Sequence, residues 1–366
     1  FDFTSTAAPL DLSITGGHDL KGDNRATEVY ADVRNIDLST FLRPGNKMHG
    51  ASLSGRLDAS VHGTKPDDIT GWLRLNDLRL KSADGNELAI NDIQIEAEQA
   101  DDSLRMLSLR SPLADIDLNG RYTYASLART VENTIARSLP SLMPGREASP
   151  IAGTEADLAV TIHTDTTISR FLKLPVEFIY PVNLKMETRG SDLYTSLSLN
   201  APYLRNKDKL IENTSLSVVL DGPNNRSTVE AGSTIPTKNG PMKLTVNSIG
   251  HADSIRSGIY WKVDRAKDFR GKLLFSTLLD RLPDGQMDTR VKFHPSQLVF
   301  NDSAWTVDPG VIDIRPGRIT VDNFGGHRNG QRLEINGVAS ADSTDRLTVN
   351  LDHIDLDYIF ETLSIS

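Results

Sequence analysis

Apolar and polar residues alternate along almost the whole chain, the period of a strand with one face packed and one face in water. Leu53, Leu57, Ala59 and Val61 keep this phase early, and Ala156, Leu158, Val160 and Ile162 keep it in the middle. Met242, Leu244 and Val246 continue it, and Leu347, Val349 and Leu351 end it. Turn signals punctuate the runs: Pro316-Gly317 suits a type II turn, and Asn239-Gly240 and Asn329-Gly330 suit type I′ hairpins. The stretches Ala100–Ser103 and Ala341–Asp345 break the pattern with aspartates. At about 8–12 residues per strand and turn, on the order of 25–30 strands are expected.

A more particular unit, apolar-x-apolar-x-x-apolar-x-apolar, recurs four times. It reads Ala31, Val33, Ile36, Leu38; then Leu73, Leu75, Leu78, Leu80; then Leu88, Ile90, Ile93, Ile95; and finally Val349, Leu351, Ile354, Leu356. Strict alternation would send the second half of each unit to the opposite face. One extra residue, taken up as a β-bulge, restores the phase and bends the strand. The unit is either an ordinary feature of a long aliphatic β protein or the mark of similar strands stacked in tandem, each burying its apolar face only against neighbours.

Helix is scarce. Leu127, Val131, Ile135 and Leu139 make one stripe over Ala125–Leu139, ended by Pro140 and Pro144-Gly145. Such a helix covers an open end or sheet edge, or serves as a lid. Shorter helical turns are expected at Ile168–Leu174, Lys272–Leu282 and Asp355–Leu363. The expected organisation is β-repeats over 1–124, helix and linker over 125–153, and β-repeats over 154–282 and 283–366.

Composition narrows the chemistry. The absence of cysteine removes disulfides, thiolate metal clusters and cysteine nucleophiles. A net charge of −9 argues against nucleic acid as partner. Eight histidines are scattered without catalytic or ligand spacing. Gly16-Gly17 and Gly325-Gly326 read as short turn glycines. Asp115-x-Asp117-x-Asn119-Gly120 opens like a calcium loop, but Ser126 stands where the closing glutamate belongs, and a strand with outward acids fits as well. Asp352, Asp355 and Asp357 beside His353 read as a solvated face. With aromatics at 6%, a sugar-binding cleft is not indicated. No cofactor or metal is expected, and no enzymatic activity.

The apolar faces are mainly Leu, Ile and Val. They can zip shut as a core or line an open trough. An acyl chain of roughly fifteen methylenes costs on the order of 12 kcal/mol to place in water, so a path between membranes needs a continuous aliphatic lining.

The C-terminal stretch resembles the TamB family of translocation and assembly module proteins, an AsmA-like group. The resemblance runs over Asn301–Trp305, Ile312–Ile314, Ile319–Phe324, Leu333–Ser340 and Ile354–Phe360. A second match runs from Leu78 through Leu88–Ile93 and Ser111–Asp115 to Leu118–Tyr124. The resemblance implies an elongated, curled β-groove in the periplasm, anchored in the inner membrane in the full-length protein and meeting an outer-membrane barrel of the Omp85 type. It further implies phospholipid movement or, as the alternative, assembly of outer-membrane proteins. By it the chain reads as an internal fragment. The expected fold is therefore all-β, a twisted and curled sheet forming an open groove. Its expected acyl-binding residues are Leu73, Leu75, Leu78, Leu80, Leu88, Ile90, Ile93 and Ile95, with Val349, Leu351, Ile354 and Leu356.

Overall fold

A computed structural model describes residues 2–354 apart from 8–9, 19–25, 47, 64, 102–103, 165–168, 170–173, 239 and 265–267. The protein is all-β: 24 strands and one long α-helix lie among the described residues. Contacts divide it into two units, one of residues 1–128, 152–189 and 199–208, the other of 129–151, 190–198 and 209–366.

In unit 1, β1 (Asp2–Ala7), β2 (Leu10–His18), β3 (Ala26–Asp37), β4 (Ser52–His62) and β5 (Thr70–Lys81) follow one another as antiparallel neighbours. Two short strands, β6 (Glu87–Ile90) and β7 (Ile93–Gln99), share β5 as partner. The meander continues through β8 (Leu104–Arg110), β9 (Ala114–Arg121), β10 (Glu155–Ile162) and β12 (Val182–Arg189). The short β11 (Glu177–Phe178) pairs instead with the end of β13 (Tyr194–Asn206).

The recurring unit is bulged where its phase slips. Asn35, Asp77 and Asp92 have φ of 50°, 52° and 62°, each just before the third apolar residue of its unit. The pairing register shifts at the same places, between Val33 and Ile36 and between Ser54 and Arg56, while β6 and β7 part around Asn91-Asp92. Asparagine and aspartate tolerate this left-handed conformation better than other side chains. The Asn35 N–H, left out of the ladder, donates to Ser54 Oγ at 2.8 Å. In the fourth unit His353 has φ of 51°, directly after the last strand ends at Asp352. Because the bulges of β3, β5 and β6/β7 are aligned, the strands bend along one line.

Asp77 also holds an exposed ion pair with Arg56, and the Arg56 guanidinium is raised above its ordinary range by the hydrogen bond to that carboxylate. Asp77→Val places a β-branched side chain at positive φ and is expected to cost about 1–2 kcal/mol more than Asp77→Asn in urea unfolding. Both variants lose the ion pair, so the difference isolates the backbone.

The predicted helix forms as α1 (Tyr124–Ser138). Thr123 caps it: Ser126 N–H donates to Thr123 Oγ1 at 3.0 Å, and Thr123 N–H donates to Ser126 Oγ at 2.9 Å. The stripe of Leu127, Val131, Ile135 and Leu139 is only half-buried, whereas Thr130, Thr134 and Ser138, on the adjoining side, are fully buried. The following segment is ordered in unit 2. Arg146 Nε donates to Asn133 Oδ1 at 2.9 Å, and Ser141 N–H donates to Asp253 Oδ1 at 2.9 Å.

Just before α1, Tyr122 is buried and its hydroxyl has no hydrogen-bond partner. Burial pushes that hydroxyl up to about 12. The unfolded chain ionises near pH 10, so this group's contribution is intact below that pH and is lost as pH rises toward 12. Tyr122→Phe removes an unsatisfied buried hydroxyl. We expect its urea midpoint to equal or exceed the parent's below pH 9, and its decline between pH 10 and 12 to be shallower.

In unit 2, β14 (Lys209–Asp221), β15 (Arg226–Thr237), β16 (Gly240–His251), β17 (Ser254–Val263), β18 (Phe269–Arg281) and β19 (Met287–Phe300) form a second antiparallel meander. β20 (Ser303–Val307) and β21 (Val311–Arg315) both lie between β19 and β22 (Arg318–Arg328), and β23 (Gln331–Ser340) and β24 (Leu347–Asp352) complete it. The Asn329-Gly330 hairpin has φ of 44° and 83°, as a type I′ turn requires.

Several expectations are corrected. Lys272–Leu282 is not helical: all but its last residue belongs to β18. Leu274 and Leu278 lie on the outer face, opposite His294 and Arg290, which breaks the alternation and mimics a helical stripe. Gly16-Gly17 and Gly325-Gly326 are strand residues, not turns. A Cβ on Gly325 would lie 2.1 Å from the Leu333 carbonyl oxygen, so β22 and β23 approach too closely there for a side chain. The turns expected at Ile168–Leu174 and Asp355–Leu363 fall largely and wholly outside the described residues.

Candidate functional site

The eight early residues expected on one face are brought together as four cross-strand pairs: Leu73 with Ile95, Leu75 with Ile93, Leu78 with Ile90, and Leu80 with Leu88. The two repeats fifteen residues apart therefore pair with each other, and the bulge at Asp77 meets the break at Asp92. All eight side chains are half-buried.

These pairs belong to longer rows. One runs Gly16, Val29, Ala59, Leu73, Ile95, Leu109, Ile116, Val160, Leu184, each opposite the next across neighbouring strands. A parallel row runs Ala97, Leu107, Leu118, Leu158, Met186. Beyond the bulges, Ile36, Leu53, Leu80 and Leu88 continue the same lining. At about 4.8 Å per strand, the nine-strand row extends roughly 38 Å, against about 15 Å for one leaflet's share of a bilayer core. Its side chains are aliphatic and none is titratable. Ala59 is buried, while the larger Leu, Ile and Val side chains of the row keep partial exposure.

The opposite face of the same strands is polar. Arg74 lies opposite Gln94, and its guanidinium sits 5.0 Å from the Trp72 ring. Asp117 pairs with Arg110 at 2.5 Å and Asp115 with His163 at 3.1 Å, so the calcium-like residues are the outward acids of β9. A pocket of about 300 Å³ opens on this side among Asn119, Glu155, Asp157, Glu187 and Arg189. Two of its carboxylates are engaged, Glu155 with Arg121 at 3.0 Å and Glu187 with Arg189.

The later group divides. Val349 and Leu351 lie on β24 opposite Ile335 and Leu333, and remain 53% and 51% exposed. Ile354 is half-buried beyond the strand, and Leu356 is outside the described residues. Unit 2 also departs from the purely aliphatic expectation. Phe293 stands 5.9 Å from Phe275 and 4.5 Å from Phe324, and Phe269 stands 5.1 Å from Phe300, ring centre to ring centre. The apolar face there is aromatic in part, which counting leucines in the repeats did not reveal. The missed members of the unit 1 rows, such as Leu107, Leu109 and Leu184, follow the same alternation, but only the strand register assigns them to the row.

Ser276 Oγ and His294 Nε2 are 2.7 Å apart on the polar face of β18 and β19. Among the described residues no carboxylate bonds the other ring nitrogen, so the orienting third group of a hydrolytic triad is not assembled. No group of three metal-ligating side chains occurs among the described residues, and no described helix is long and apolar enough to cross a membrane. What the apolar face can do is exclude water from a hydrocarbon. Compared with known proteins, the chain matches no family model, no curated protein and no solved structure.

Proposed function

We propose that this chain is one section of a periplasmic lipid conduit, holding phospholipid acyl chains along the aliphatic face of unit 1 without chemical turnover. The observation that carries the reading is the nine-strand row through Leu73 and Ile95, aliphatic along its length and incompletely covered. An acyl chain laid on those half-exposed leucines and isoleucines removes apolar surface of both partners from water at about 25 cal/mol per Å². The TamB-like sequence pattern supplies the setting, between an inner-membrane anchor and an outer-membrane barrel of the Omp85 type in the full-length protein. Mass spectrometry of lipid extracted from the purified chain tests it: co-purified phospholipid is expected. A lipid-free chain that also fails to take up a fluorescent fatty acid would rule it out.

A second reading, a scaffold for outer-membrane protein strands, draws on β24. Among the described residues this strand pairs only with β23, and Leu347, Val349 and Leu351 are exposed. Client strands would add to its free edge. Photocrosslinking from position 349 separates the readings, giving polypeptide adducts for a scaffold.

A further inference from the structure

The polar face of unit 2 carries a concentration of positive charge that runs against the chain's net −9. Lys243, Lys262 and Arg270 lie directly opposite one another on β16, β17 and β18. Lys272 is on the same face one row along, and Arg256 and Lys292 flank Ser276 in a further row. Arg270 is paired with Asp268 at 3.0 Å, and the neighbouring Arg290 with Asp313 at 2.7 Å. Lys243, Arg256, Lys262, Lys272 and Lys292 are exposed, with no carboxylate in ion-pair reach among the described residues. Further acids of this region are Asp264, two residues beyond Lys262, Asp280 opposite Asp288 at the far end of the face, and Glu230 on β15 opposite Asn247. Like charges directly opposite across strands are destabilising. A face that keeps Lys243, Lys262 and Arg270 aligned is therefore one that an anionic surface relieves.

Apolar side chains are set among these cations. Ile249 is 46% exposed, Leu278 46% and Tyr260 36%. Ile249 lies opposite Arg256, and Tyr260 opposite both Thr245 and Lys272. The Tyr260 ring lies over Gly258, where a Cβ would come within 2.8 Å of it, and Lys272 Nζ stands 5.8 Å from the ring centre. The ring is thus already in contact with its own sheet through Gly258 and Lys272, and four of the five cations without an ion pair are lysines, which bind as point charges rather than as planar stacking groups. Cations interspersed with exposed aliphatic side chains match the headgroup layer of a bilayer better than a polynucleotide.

We propose that the outer face of β16–β19 docks onto a membrane surface containing anionic phospholipid. This surface is opposite in kind to the aliphatic face of unit 1, and the proposal holds whether or not acyl chains bind there. Each cation near an anionic leaflet contributes a factor of about five in affinity, so Lys243→Gln combined with Lys262→Gln is expected to weaken binding about 25-fold. Vesicle flotation of the full chain reads this, using phosphatidylcholine vesicles with and without phosphatidylglycerol. Binding only to the anionic vesicles, weakened by salt and by the double variant, is expected. The unfolding midpoint of that variant should stay level or rise, because a repulsion is removed. Equal binding to both vesicle types, an unaffected double variant, or capture of duplex DNA without capture of anionic vesicles would each overturn the assignment.

Discussion

Leu73→Glu combined with Ile95→Glu is expected to reduce acyl-chain labelling of the protein by at least tenfold while leaving its far-ultraviolet circular dichroism unchanged. These two residues face each other across β5 and β7 in the middle of the nine-strand row. Two carboxylates there interrupt the hydrocarbon path with groups that hold water. The stability cost distinguishes an open face from a shut core. On an open face the new charges stay hydrated, and about 1–2 kcal/mol per site is expected from lost apolar contact. In a closed core two unpaired buried charges would cost several kcal/mol each and unfold the chain. Arg74→Glu with Gln94→Glu is the matched control, since these residues are paired on the polar face of the same strands. Normal labelling in a folded Leu73/Ile95 variant would remove these positions from the lining.

The second large effect is expected at Gly71, which enters β5 with φ of 123°. A Cβ built there lies 2.1 Å from the Ser60 carbonyl oxygen and 3.0 Å from the Val61 Cα, both backbone atoms of the adjacent β4. No rotamer change relieves a clash with backbone, so Gly71→Ala must push β4 and β5 apart. A loss of about 3 kcal/mol in urea unfolding is expected from strain and broken pairing together. The row beside Gly71 runs to Ala97 and Leu107, so the same variant should loosen the apolar face and raise amide exchange in β4 and β5.

The strand class and the bulges were legible because both are matters of phase. A doubled polar position inside an alternating run has one simple structural solution, and Asn35, Asp77 and Asp92 adopt it at positive φ. The pairing of Leu73–Leu80 with Leu88–Ile95 was implicit in the similarity of the two repeats, but their register was not. Asn323, with φ of 53° and a register shift between Val321 and Phe324, is the same device in β22, where Gly326 at the fourth apolar position hides the pattern in the sequence. Composition misled at β18, where Leu274 and Leu278 on the outer face mimic a helix. In α1 the stripe is present, yet the hydroxyl side of Thr130, Thr134 and Ser138 is the more deeply buried. Side-chain size decides this: small residues allow an approach that leucine does not. The basic face of β16–β19 was hidden by averaging, because a net charge sums over both units and both faces.

The most direct measurement places a photoreactive benzoylphenylalanine at position 95 or at position 94, neighbouring residues that β7 sends to opposite faces. The account predicts phospholipid adducts from position 95 and none from position 94. Polypeptide adducts alone from position 95, or no adduct from either, would contradict it.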